Sequence, residues 1–170
     1  MNDIKETVLN LIAVGKEGDH WDFKLKWHDN MKTLIKDIVC FANTSHDEDC
    51  YLIFGVSDDR KIIGLTERRK QVEIIDTMSH LPFAADNAPQ IEVVSTEING
   101  QTIDVLIILN SNSVPYYLKS DYGAMKMGCI YTRVGDKNTA DNSNADFPDI
   151  ERLWKKRFSV PESDWNAEML

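Results

Sequence analysis

The residues best suited to chemistry in this chain are carboxylates. Glu17 and Asp22 stand five positions apart, Lys24 follows Asp22 by two, and Asp58 and Asp59 lie together further on. Hard oxygen ligands of this kind favour Mg²⁺ or Mn²⁺. Three of them brought together would hold a metal that activates water and neutralises charge on a phosphodiester, with Lys24 steadying the phosphate. The same residues have an ordinary structural reading: Glu17 ends a helix-to-strand turn, and Asp58 and Asp59 are turn residues. Spacing alone leaves both open, because convergence requires the elements that carry these side chains to be neighbours.

Those elements can be read from periodicity. Ile4, Val8, Leu11 and Ile12 recur at helical spacing, predicting a helix from Asp3 to about Val14, with Gly15 as its stop. Trp21, Phe23, Leu25 and Trp27 alternate with Asp22, Lys24 and Lys26, the pattern of a half-exposed strand with the charges on one face. Asn30 can cap a helix from Met31 to Ala42, and the polar run Asn43 to Asp49 reads as a loop. Tyr51 to Val56 is wholly apolar and predicts a central strand that ends in Gly55 and delivers Asp58 and Asp59. A short strand over Lys61 to Gly64 and a helix over Glu67 to Ser79 are expected next.

Asn99-Gly100 between Gln90–Ile98 and Gln101–Leu109 is a strong hairpin signal. Val114–Leu118 and Cys129–Val134 predict two further strands, and Gly135 to Asp146 an extended connector. Pro148 opens a last helix whose end carries Lys155, Lys156 and Arg157, suited to the negative pole of the helix dipole. Interleaved helices and strands followed by hairpins predict an α+β fold: one domain over residues 1–160, a mixed sheet with flanking helices, and a C-terminal tail over 161–170.

Composition narrows the function. A length of 170 residues with 42% hydrophobic content suits one domain with a sizeable core. No apolar run reaches the roughly 18–20 residues that span a bilayer, and the start lacks the pattern of a secretion signal. Three scattered cysteines, Cys40, Cys50 and Cys129, do not make a disulfide framework, so a cytoplasmic location is expected. Nineteen basic against 28 acidic residues give a net charge of −9, which opposes bulk attraction to a polyanion but permits a local basic groove. No Gly-x-x-x-x-Gly-Lys-Ser/Thr loop or Gly-x-Ser-x-Gly elbow is present, so no ATP site is evident. His20, His28, His46 and His80 form no spaced ligand pair.

Glu17, Asp22-Phe-Lys24, Phe41-Ala-Asn-Thr44, Tyr51-Leu-Ile-Phe-Gly-Val56, Asp58 and Ile63-Gly64 together resemble the Schlafen AlbA_2 domain, also called the divergent AAA-4 domain. Val114-Pro-Tyr-Tyr-Leu118 and Ile130-Tyr-Thr-Arg-Val-Gly135 continue the likeness, and Ile150 to Phe158 resembles bacterial stand-alone members. The resemblance implies a mixed sheet with flanking helices and a nucleic-acid-binding role; prokaryotic members are often labelled transcriptional regulators. Some animal Schlafens are metal-dependent endoribonucleases with three carboxylates, and by motif these fall on Glu17, Asp22 and Asp58, with Mg²⁺ or Mn²⁺. Asp22 stands where the family usually has the longer Glu, and Ser45 to Asp49 replaces the usual Gly-Gly.

The resemblance makes Lys24, Lys26 and Arg133 the candidates for phosphate contact on RNA or single-stranded DNA. The animal proteins pair two such lobes, so this single lobe would need a homodimer to form a comparable groove. The competing reading is a non-catalytic interaction or regulatory module, in transcription or phage defence, which the acidic balance favours.

Overall fold

A computed structural model describes residues 3–159. The expected tail over 161–170 lies outside the described residues. Helix α1, Ile4–Val14, starts where Asp3 accepts a hydrogen bond from the Lys5 amide and stops at Gly15. Strand β1, Trp21–Lys24, follows, and helix α2, Met31–Ala42, is capped by Asn30 through the Lys32 amide. Strand β2, Cys50–Phe54, pairs parallel to β1, with α2 as the crossover. Helix α3 is Gln71–Ser79, followed by a short 3₁₀ turn at Ala84–Asp86.

Strands β3, Ile91–Ile98, and β4, Gln101–Ile108, form the expected hairpin. Its tip needs two left-handed residues, and Asn99 and Gly100 supply them at φ 52° and 75°. β4 also pairs antiparallel with β2, giving a mixed sheet in the order β1-β2-β4-β3. Two short strands, β5 at Arg133–Val134 and β6 at Lys137–Asn138, make a separate ribbon, and helix α4 spans Phe147–Arg157. This is the α+β architecture the periodicity predicts.

The sheet is covered on both faces. On one, α1 packs Val8 against Trp21, Phe23, Ile53, Ile103 and Val105. On the other, Leu34, Ile38 and Phe41 of α2, Ile74 of α3 and Leu153 of α4 meet Leu52, Phe54, Leu106 and Ile108. Among the described residues no helix is long and apolar enough to cross a membrane.

Several local expectations give way to tertiary contacts. β1 ends at Lys24 rather than Trp27, because the Trp27 indole turns inward, stacks 3.9 Å from the Phe54 ring and donates to Asp104 at 2.9 Å. α3 begins at Gln71 rather than Glu67, since Arg68 and Arg69 are drawn into bonds with Asp104 and the His28 carbonyl. Ile62 makes only an isolated bridge to Val56, and Val114–Leu118, with its cis peptide before Pro115, makes only an isolated bridge from Leu118 to Phe83, outside the sheet. The connector after Gly135 contains β6.

Candidate functional site

Register decides where the β1 charges point. Asp22 and Lys24 stand opposite Leu52 and Phe54, so both side chains project toward α2, while Trp21 and Phe23 project toward α1. β1 is an edge strand, and its free edge is closed by the loop before it. The Trp21 indole donates to the Lys16 carbonyl at 3.0 Å, and the Gly18 amide donates to the Trp21 carbonyl at 3.3 Å. A Cβ on Gly18 would lie 2.3 Å from the Trp21 ring, so this approach requires glycine. Glu17 is thereby laid along β1, where its Oε1 accepts the Phe23 amide at 3.4 Å.

Arg133 locks the loop in place. Its Nε donates to the Gly18 carbonyl at 2.8 Å, one terminal nitrogen reaches the Trp21 carbonyl at 3.5 Å, and the other donates to Asn138 at 3.0 Å. The guanidinium lies 4.5 Å from the Phe41 ring centre. Arg133, expected at a phosphate, is therefore buried, with its fork committed to this chain.

The carboxyls of Glu17 and Asp22 adjoin and hydrogen-bond each other. That bond, then burial and the charge of Asp22, raise Glu17 from 4.5 to about 7. Asp22 moves the other way: burial opposes its charge, but the Glu17 hydrogen bond and Lys24 outweigh it and hold the carboxyl below the usual range. The pair therefore titrates around neutral pH, and the proton it shares rests on Glu17 and is donated to Asp22.

Lys24 sits 3.0 Å from Asp22 and 3.8 Å from Asp37 of α2. Burial works against its charge, but the two carboxylates prevail and keep it ionised. Asp37 also meets His28 at 2.7 Å and accepts from Asn138 at 3.1 Å, closing a circuit back to Arg133. Lys24, a second expected phosphate contact, is turned inward by these carboxylates. Lys26, the third, is exposed and paired with Asp29 at 3.1 Å.

Asp58 stands in the turn after β2, reached through Gly55. A φ of 102° and a Cβ position only 2.8 Å from Ile103 leave room there for glycine alone. Asp58 is exposed and lines an open pocket of about 280 Å³ with Lys16, Glu17, Phe23, Arg60 and Asp136. Asp59 turns aside to Ser57 and to Lys61 at 3.1 Å. Glu17 and Asp58 thus share a pocket, while Asp22 faces Lys24 behind it. Among the described residues no three His, Cys, Asp or Glu side chains are grouped to hold a metal. As arranged, the three carboxylates do not form one donor set for Mg²⁺ or Mn²⁺: Asp22 is turned to Lys24 and does not line the pocket that Glu17 and Asp58 share.

A larger groove has a volume of about 650 Å³. It lies between the segment after β1, Leu25 to Asp29, and the segment Ile63 to Arg69. Lys26, Arg68 and Arg69 border it. Beneath it Asp104 is wholly buried, accepting from Trp27, from Ser95 at 2.6 Å and from Arg68 at 2.7 and 3.0 Å.

Sequence reasoning missed Asp37, His28, Asn138, Asp104 and Asn43. Asn43 is fully buried at the end of α2. Its amide donates to the Tyr116 and Tyr131 carbonyls at 2.8 and 2.9 Å, and its oxygen accepts the Tyr116 amide at 2.6 Å. A polar residue closing an apolar helix was the available signal for Asn43, and a lone acid, beside Lys36, in the otherwise apolar run Leu34–Ala42 was the signal for Asp37.

Two solved structures share the fold. The DIP2311 protein of Corynebacterium diphtheriae superposes at TM-score 0.51 with 20% identity, over 79% of this chain and 29% of that protein. This chain therefore spans less than a third of DIP2311. The N-terminal domain of a RecG-related protein of Nitrosomonas europaea superposes at TM-score 0.52 with 18% identity, over 86% of this chain and 97% of that domain. None of the curated proteins matches the chain. The sequence profile of the Schlafen AlbA_2 domain matches residues 17–142, from the first carboxylate of the site through the Arg133 lock and the β5–β6 ribbon. The chain belongs to the Schlafen AlbA_2 family.

Proposed function

We propose that this protein is a nucleic-acid-binding AlbA_2 domain that contacts phosphate with the two segments that follow the parallel strands, Leu25–Asp29 and Arg60–Lys70. One observation carries the reading. On a chain of net charge −9, basic residues gather in the two segments that leave the carboxyl ends of the parallel strands, at Lys26 and at Arg60, Lys61, Arg68, Arg69 and Lys70. Ligands of open sheets with parallel strands bind outside those carboxyl ends. Lys26 and Lys61 are available, with side chains 70% and 75% exposed and only surface ion pairs to give up. Family membership supports the reading, as does the fold shared with a domain named for a RecG-related DNA helicase.

The test is fluorescence anisotropy with a labelled RNA hairpin and a labelled single-stranded DNA at low salt. Lys26→Glu with Lys61→Glu is expected to weaken binding at least tenfold and to lower the salt slope by about one per lost contact. Failure of the wild type to bind either probe overturns the proposal, as does an unchanged affinity in the double variant.

A second reading, metal-dependent endoribonuclease, is favoured by one feature: Glu17 and Asp58 open onto the same pocket as Lys16 and Arg60. Incubating the RNA hairpin with Mn²⁺ or with EDTA tests it. Metal-dependent cleavage that is lost in folded Glu17→Ala and Asp58→Ala supports it; an uncut hairpin in Mn²⁺ rejects it and leaves binding as the function.

A further inference from the structure

The two edges of the sheet are treated differently. The β1 edge is closed by Glu17, Gly18 and Arg133. The β3 edge is not. The Leu109 amide donates to the Gln90 carbonyl, which fixes the phase of the hairpin. Even-numbered residues of β3 bond β4, and odd-numbered residues point their backbone groups outward. Val93, one of these, has its amide bonded to the Gln71 side chain at 2.7 Å. Among the described residues the outward backbone groups of Ser95 and Glu97 meet no partner, and both residues are exposed.

We propose that β3 pairs antiparallel with β3 of a second copy of this chain about a two-fold axis at Thr96, joining the two sheets into one. In this register Ser95 faces Glu97 of the second copy. Each such pair exchanges both of its N–H···O bonds, and the Val93–Gln71 bond is left undisturbed. Thr96 faces Thr96 of the second copy as a non-hydrogen-bonded pair, a favourable β-branched contact. Glu92 falls opposite Gly100, so no glutamate of the edge stands directly against another.

Charge complementarity selects a second copy as the occupant. The Ser95 side chain lies on the α2 face, bonded to Arg68 and Asp104. Paired residues project to the same face, which brings Glu97 of the second copy against Arg68. Arg68 is held in place by buried Asp104, yet its side chain is 49% exposed. Glu97 has no ion pair in its own chain among the described residues. An isolated charge on an edge strand ordinarily discourages pairing. Here the two-fold gives it a cation, and does so twice. A symmetric, self-complementary patch of this kind is what a two-fold dimer requires.

Light scattering and a cysteine cross-link test the proposal in the full chain. The wild type is expected to be dimeric at about 100 µM and below. Thr96→Cys places two thiols at the non-hydrogen-bonded spacing of about 4.5 Å between Cα atoms. Mild oxidation should then give a covalent dimer on a non-reducing gel, which the wild type, treated identically, does not form. Glu97→Arg sets like charges together and should raise the dimer dissociation constant at least tenfold while circular dichroism stays unchanged. A monomeric wild type overturns the proposal, and so does a dimer that Thr96→Cys fails to cross-link or Glu97→Arg fails to weaken. The outcome is separate from nucleic-acid binding, since a monomer that binds the RNA hairpin rejects this interface alone.

Discussion

Replacing Asp104 by Asn probes the polar centre beneath the basic rim. Asp104 is 0% exposed, and its two oxygens accept four hydrogen bonds, from Trp27, from Ser95 and two from Arg68. An amide of the same shape has one oxygen. The Oδ2 side faces two obligate donors, the Trp27 indole and Arg68 Nε, so the new carbonyl must sit there. The amide nitrogen then meets Ser95, whose hydroxyl can rotate to accept, and the terminal nitrogen of Arg68, which cannot. Arg68 is half exposed and can retreat to water, so one or two charge-assisted bonds are lost rather than all four. At 1.5–3 kcal/mol for such a bond, the cost is about 2–4 kcal/mol at pH 7. For a domain of this size that lowers Tm by roughly 5–15 °C.

The pH dependence sharpens the test. Burial opposes the Asp104 charge, but the donors from Arg68, Ser95 and Trp27 outweigh it, so the folded carboxyl lies below its ordinary value. Its contribution is present above the unfolded carboxyl range and lost as pH falls through the folded value. The Asn variant has nothing to titrate there, so its deficit should shrink between pH 7 and about pH 3. Urea midpoints for both proteins at the two pH values measure this. A deficit under about 0.5 kcal/mol at pH 7, or one that is the same at both pH values, refutes the reasoning.

Three further outcomes concern the loop on β1 and the end of α2. ¹³C NMR of the Glu17 carboxyl should show titration near 7, returning toward 4.5 in Asp22→Asn; because the folded value is the higher one, stability from this group falls as pH rises between the two. Asn43→Ala orphans the Tyr116 amide and the Tyr116 and Tyr131 carbonyls, costing about 3–6 kcal/mol, read as loss of a cooperative urea transition. Arg133→Lys replaces the three-pronged fork by a point charge; hydrogen exchange at Gly18 and Phe23 should accelerate by at least tenfold while the β2 and β4 amides stay protected.

The legibility of this fold in its sequence depends on how local each cause is. The Asn99-Gly100 hairpin, the Asn30 cap and the apolar central strand are decided by neighbours in sequence, and each forms as the pattern dictates. The break in β1 after Lys24 was not readable, because Trp27 obeys Asp104, 77 residues away, rather than its own alternation. The late start of α3 has the same origin in Arg68. At the site, spacing nominated Glu17 and Asp58, and they do share a pocket. The inward turn of Lys24 was hidden because Asp37 reads as one more helix residue. Arg133 entered as a phosphate candidate through the resemblance, and its bonds to the Gly18 and Trp21 carbonyls were unreadable because backbone partners carry no side-chain signature.

Arg133 and Gly18 are 115 residues apart, and that separation orders events on the ribosome. α1, β1, α2 and β2 emerge first and already contain every strand needed to start the sheet. Until the chain is made through Asn138, the Gly18 loop lacks the Arg133 fork and is held over the edge of β1 only by its local bonds to Trp21 and Phe23. A nascent chain stalled before that point would carry a loosely covered edge, more open to pairing with other chains. Closing it late ties the appearance of the acidic site to completion of the domain.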